Sequence, residues 1–165
     1  MFSFSSSSQC LFNVSVARAS DPTLLKEIDI ENGRFRDLKR GSHISDCTDM
    51  VYETHKQTSG GNVKIYKRNN DSLVLDSKIN LSKIEYGFLN KKLLFVALKT
   101  SDPDNRKVFK ETIVLRFGDD KRSEQSANLY WVAQKTNIIF QPNNSSKDSV
   151  LMLVSKERLS SNFNK

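Results

Sequence analysis

Apolar and polar positions alternate at Phe12, Val14 and Val16, and this period of two predicts a strand over residues 10–16 with one buried face. Asp21 and Pro22 break it. Residues 21–41 are charged and mixed, a long connection with one turn of helix expected at Leu24 to Ile28 and an end at Gly41. Ser42 then offers an N-cap. Ile44, Cys47, Met50 and Val51 follow at helical spacing, with Asp46 and Asp49 near the start, so residues 43–56 read as a short amphipathic helix. Ser59, Gly60 and Gly61 end it.

The next block is strand-like. Residues 63–68 alternate apolar and basic side chains, and Asn69, Asn70, Asp71 and Ser72 are turn residues. Residues 73–75 are the return strand of the hairpin this implies. Residues 83–89 alternate again, Asn90, Lys91 and Lys92 turn the chain, and the continuous apolar run at 93–98 suits a central strand. Residues 101–105 are expected as an exposed loop, and residues 108–109 and 112–117 as the last strand region. After Gly118 the period changes. With Ser123 as N-cap, residues 123–140 form a helix carrying two adjacent apolar stripes, stopped by Pro142. Residues 149–154 are one more apolar segment, and the last ten residues are polar.

This order predicts an α+β fold, an antiparallel sandwich or barrel of about seven strands with an early helix and a closing C-terminal helix. The expected division is a Ser-rich tail over 1–9, a domain over 10–141, and a linker and C-terminal tail over 142–165. The 165 residues are enough for one domain with its own core.

The formal net charge of +7 favours anionic partners, whether nucleic acid, acidic lipid or a phosphorylated peptide. Cys10 and Cys47 lack metal-ligand spacing and are too few for a disulfide framework, so they read as small apolar side chains in a reducing compartment. The first twenty residues hold one arginine, no acid and many serines. They suit either an organelle transit peptide or a loose tail leading into the first strand. Without a secretory signal, the Asn-x-Ser triplets read as chance matches. No apolar run reaches the ~18 residues of a membrane-spanning helix. His43 and His55 would lie about 18 Å apart on one helix, too far to share a metal. No catalytic motif occurs, and no enzyme chemistry, metal or cofactor is expected.

The order of elements resembles a phosphotyrosine-binding (PTB) domain, a branch of the pleckstrin-homology-like superfold. Three stretches carry the resemblance: VKIYKRNNDSLVLDS at 63–77, INLSKIEYGF at 79–88, and LRFGDDKRSEQSANLYWVAQKTNIIF at 115–140. The resemblance implies an adaptor of intracellular signalling. It would bind tyrosine-type peptides such as Asn-Pro-x-Tyr segments by strand addition between an edge strand and the C-terminal helix. Carried onto this chain, the edge is Ile84, Glu85, Tyr86, Gly87, Phe88 and Leu89, and the helix wall is Tyr130, Trp131, Gln134, Lys135, Ile138 and Phe140. Tyr86, Phe88, Trp131 and Phe140 read equally well as core residues. Val150 to Val154 would block the groove if they paired in it.

The implied partner is a cytoplasmic tail or another protein's peptide segment, met by a monomer in the cytoplasm. The alternative is a pleckstrin-type binder of phosphoinositides at a membrane surface. Arg36, Arg40, Lys64, Lys67, Arg68 and Lys83 are the candidates for holding a phosphate or lipid head group, set against a plain solvated basic face. The aromatics alternate into the core pattern, which argues against single-stranded nucleic acid.

Overall fold

The computed structural model describes residues 21–118, 128–142 and 148–156. The Ser-rich tail 1–9, the strand expected over 10–16 and Cys10 lie outside the described residues. The described residues open with three two-residue strands, β1 (Ile28–Asp29), β2 (Arg34–Phe35) and β3 (Leu38–Lys39), paired as a small antiparallel meander. A single 3-10 turn (Ile44–Asp46) leads into β4 (Met50–Thr58), followed by β5 (Gly61–Arg68). A short hairpin, β6 (Val74–Leu75) and β7 (Ile79–Asn80), precedes β8 (Lys83–Leu89) and β9 (Lys92–Thr100). Helix α1 (Pro103–Phe117) comes next, then β10 (Leu129–Val132), β11 (Thr136–Gln141) and β12 (Ser149–Ser155).

Seven strands form one antiparallel sheet in the order β10-β11-β12-β9-β8-β5-β4. With one helix among the described residues, this is an α+β architecture. The strand expectations at 63–68, 83–89 and 93–98 match β5, β8 and β9. Asn90 and Lys91 both take positive φ (50° and 65°), the conformation of the tight hairpin turns that follow the natural twist of paired strands.

Other assignments change. The predicted helix over 43–56 is one 3-10 turn and the nine-residue strand β4. Past Val51 no apolar residue continues the helical stripe, and Val51, Tyr52, Thr54 and Thr58 are strand-favouring types. The helical turn at Leu24 to Ile28 is a pair of turns leading into β1. Residues 73–75 do not return along β5: β6 pairs with β7, and β5 pairs with β4 and β8.

The loop and strand expected over 101–117 are helix α1. Asp102 caps it by accepting from the Asn105 N–H at 2.8 Å, Pro103 opens its first turn, and Gly118 at φ 82° ends it. Its inward face is Asn105, Phe109, Thr112 and Ile113. The closing helix over 123–140 is, from Leu129 on, the hairpin of β10 and β11, with Leu129, Trp131, Thr136, Ile138 and Phe140 alternating inward. Residues 149–155, set apart in sequence with the linker and tail, form β12 between β9 and β11.

One face of the sheet carries the main core. The helix, the meander and the β6–β7 hairpin all pack there, burying Tyr86, Phe109, Phe140, Ile28, Leu75, Leu98 and Leu151 completely. Phe109 meets Phe140 edge to face at 5.7 Å. The Asn105 side chain ties the helix to the sheet through Asn80 and the Thr100 hydroxyl, the latter at 2.8 Å. The Trp131 indole N–H donates to the Gly118 carbonyl at 2.9 Å, fixing the helix end to β10. The opposite face holds a second cluster of Val63, Ile65 and Leu89 with Leu94 and Phe95 packed against it. Cys47 is buried, and burial pushes its thiol above the ordinary range. Among the described residues no helix is long and apolar enough to cross a membrane.

Candidate functional site

The expected peptide edge lies inside the sheet. β8 pairs with β9 along its length and with β5 from Tyr86 on, so Tyr86, Gly87, Phe88 and Leu89 have strand neighbours on both flanks and Ile84 and Glu85 pair with β9. All six residues are buried. The expected helix wall is split. Trp131, Ile138 and Phe140 point into the core, Tyr130 lies half-buried on the opposite face of β10, and Gln134 sits exposed in the β10–β11 turn. The Lys135 carbonyl accepts from Arg40. Strands β9 and β12 separate these residues from β8. Gly87 is needed for a different close approach, because the Phe95 ring of β9 lies over it.

The basic candidates do not converge. Arg36 pairs with Asp71, with side-chain exposures of only 15% and 8%. The Tyr86 hydroxyl donates to the same carboxylate. Burial and that carboxylate hold the Tyr86 phenol protonated well above its ordinary range. Arg36 also lies 5.0 Å from the Phe35 ring centre and donates to the Val74 carbonyl at 3.3 Å. Its guanidinium therefore joins the meander to β6 and the segment before it. Arg68 makes a two-pronged contact with Asp37 at 2.7 and 3.1 Å, which lowers the Asp37 pKa and raises that of Arg68.

Lys67 and Lys83 serve the opposite face. Lys83 meets Glu53 at 2.8 Å and Glu85 at 3.2 Å, Lys67 lies 3.8 Å from Glu53, and Lys99 meets Glu85 at 2.9 Å. Arg40 donates to the Lys135 carbonyl at 3.1 Å and lies 3.5 Å from the Ser155 hydroxyl. Lys64 is exposed on β5 opposite His55.

The sheet does offer an edge, and it is β4. Among the described residues β4 is nine residues long and pairs with β5 alone, through eight of them, whereas the other edge strand, β10, has four residues. Alternate residues of an edge strand turn both N–H and C=O away from the sheet, a row of groups ready to pair with another strand. Val51 and Tyr52 are 36% and 49% exposed on this edge. The register shifts between Tyr52 and Thr54, so Glu53 is a bulge residue that bends the strand. Tyr52 packs edge to face on Tyr66 at 5.7 Å, and Tyr66 on Phe88 at 5.3 Å. This aromatic ladder runs from the edge into the core and holds the middle of β4 in place. The Tyr52 hydroxyl lies 3.1 Å from the His55 imidazole.

The charges along the edge are mostly positive. Glu53 is occupied by Lys67 and Lys83, leaving Lys56 and Lys64 as the charges nearest the outer half of β4. Sequence reasoning missed this strand by placing it in a helix. The usable signal was its content of Val, Tyr and Thr ahead of a Ser-Gly-Gly turn, where Gly61 takes φ 123°. Among the described residues no three of His, Cys, Asp and Glu come together to hold a metal ion. No known protein family matches the chain, and no curated protein or solved structure shows detectable similarity to it.

Proposed function

We propose that this chain is a protein-binding module that takes an extended, acidic peptide segment as an additional strand on β4. The reading keeps the strand-addition mode of the PTB resemblance and moves it from β8 to β4. One observation carries it: a nine-residue edge strand with exposed Val51 and Tyr52 and with β5 as its single strand partner among the described residues. Main-chain bonds along the edge supply affinity that depends little on sequence, and alternate side chains choose the partner. Lys56 and Lys64 favour acidic residues at the facing positions.

The test is an amide-shift titration of isotope-labelled protein with an acidic peptide of about ten residues that alternates Glu with Val or Tyr. Shifts concentrated on residues 50–58, weakened about tenfold in a Lys56→Glu, Lys64→Glu double variant, support the proposal. Shifts elsewhere on the surface, or none at millimolar peptide, sink it. Anionic vesicles used in place of peptide would, by binding more tightly, move the reading to a membrane surface.

A further inference from the structure

The bulge at Glu53 also re-aims side chains. Tyr52 pairs with Tyr66 and His55 with Lys64, and Tyr66 and Lys64 lie two residues apart on β5. Side chains two apart on a strand share a face, so their partners Tyr52 and His55 share one too. Those two are three apart in sequence, a spacing that a regular strand would set on opposite faces. The extra residue between Tyr52 and Thr54 brings them together. Their side chains meet there, with the Tyr52 hydroxyl 3.1 Å from Nδ1 of His55. The Tyr52 ring packs on Tyr66, and Tyr66 on Phe88, so the hydroxyl has a firm support at an exposed edge.

The cluster is polar, positive and open. His55 and Lys64 are both exposed. Tyr52 occupies Nδ1 of the imidazole, and Nε2 has no hydrogen-bond partner among the described residues. Lys64 makes no ion pair among them. The groups facing the ring are the Tyr52 hydroxyl on β4 and, on β5, Lys64 directly across with Asn62 and Tyr66 to either side. Lys56 turns to the other face with Val63, and Glu53 is held by Lys67 and Lys83. A strand added outside β4 places one residue opposite His55 on this same face, with Cβ atoms about 5 Å apart. An imidazole gains its charge between about pH 8 and pH 5, a range in which Asp and Glu stay ionised. A carboxylate opposite His55 therefore meets a neutral ring donor at high pH and a cation at low pH.

We infer that Tyr52, His55 and Lys64 form a carboxylate subsite, which holds one Asp or Glu of the added strand opposite His55 and grips it more tightly when His55 is protonated. The subsite rests on the reading of β4 as the receiving edge. The probes are two capped peptides of about ten residues that alternate Ser and Val, one with a single central Glu and one with Gln in its place. Amide shifts of residues 50–58 give the affinity of each at about pH 8 and about pH 5.5. The Glu peptide should bind about threefold more tightly than the Gln peptide at the higher pH and about tenfold more tightly at the lower. In His55→Gln the ratio should stay near about threefold at both. The ring protons of native His55 should titrate at higher pH with the Glu peptide bound than with the Gln peptide. A native ratio that is equal at the two pH values, or one that still rises in His55→Gln, overturns the subsite; shifts that persist at residues 50–58 would leave strand addition on β4 standing. No shift at residues 50–58 with either peptide sinks that reading and the subsite together.

Discussion

Gly87→Ala is the sharpest test of how the two central strands meet. Gly87 sits opposite Phe95, and an added Cβ would lie 2.5 Å from Phe95 Cζ, 2.7 Å from Cδ1 and closer still to Cε1. Normal carbon contacts begin near 3.5 Å, so the ring has to move by about 1 Å or more. The φ of Gly87 lies outside the left-handed region, so alanine itself is not strained there. Its lower unfolded-state entropy contributes about 0.5–1 kcal/mol in favour of the variant. Against this stand about 1–3 kcal/mol for overpacking, or a similar loss if the ring swings away from Val63, Ile65 and Leu89. The net expectation is a destabilisation of about 1–2 kcal/mol, which for a chain of this size lowers the melting temperature by roughly 2–8 °C. Thermal and urea unfolding of four proteins measures it: the native chain, Gly87→Ala, Phe95→Ala and the double variant. In the Phe95→Ala background the glycine substitution should be neutral or stabilising. Equal destabilisation in both backgrounds would refute the ring as the cause, and an unchanged native-background stability would refute the close approach itself.

Three further predictions follow from the buried polar contacts. Asp71→Ala removes the common acceptor of Arg36 and the Tyr86 hydroxyl and leaves a mostly buried guanidinium unpaired. Urea unfolding should show a loss of about 3–5 kcal/mol, against about 1 kcal/mol for Tyr86→Phe. Asp102→Ala removes the α1 cap and should cost about 1 kcal/mol, seen as a lower midpoint in helix-detected unfolding. At Glu85 burial raises the carboxyl pKa, but the ion pairs with Lys99 and Lys83 lower it further, so the folded value lies below the ordinary 4.5. A depressed carboxyl pKa stabilises the fold above the unfolded value and loses that contribution as pH falls through the folded one. The stability gap between the native chain and Glu85→Gln should therefore be full at pH 7 and shrink below about pH 4.5. A gap that is flat down to pH 3 would contradict the lowered pKa.

What was legible in the sequence was local. β5 and β8 largely alternate, β9 holds a short unbroken apolar run, and Asn90 opens the turn between β8 and β9, so pattern and structure coincide. The helix and strand errors share one cause. Over 43–51 and 127–140 apolar residues fall at both helical and strand spacings, and the inward alternation of Leu129, Trp131, Ile138 and Phe140 is decided by packing on Phe109 and Leu151. At 102–105 the Asp-Pro cap signal was present but outweighed by the β-branched run Thr112-Ile113-Val114, which α1 tolerates because Ile113 reaches the core. The candidate site was illegible for another reason. Which strand becomes an edge depends on long-range order, here on β5 pairing with β8 across the intervening β6–β7 hairpin, which puts β8 inside and β4 outermost.

The β4 edge also has to avoid joining a second copy of itself. A nine-residue open strand is an aggregation hazard unless its sequence resists pairing, and charges and bulges are the usual devices. Both are present: the bulge at Glu53 interrupts a regular ladder, and Lys56 lies in its outer half. Antiparallel pairing of two β4 strands about Thr54 would set the two bulges two residues apart and gather both copies' Lys56 and Lys64 along one seam. Like charges gathered along one seam repel, and a chain carrying +7 overall repels its own copy at longer range. The same side chains attract an acidic strand. The features that protect this edge from self-association are therefore the ones that select its partner, and salt separates the two effects. Raising ionic strength should weaken binding of an acidic peptide while making self-association of the free protein easier. Parallel changes in both would show that Lys56 and Lys64 take no part in the choice.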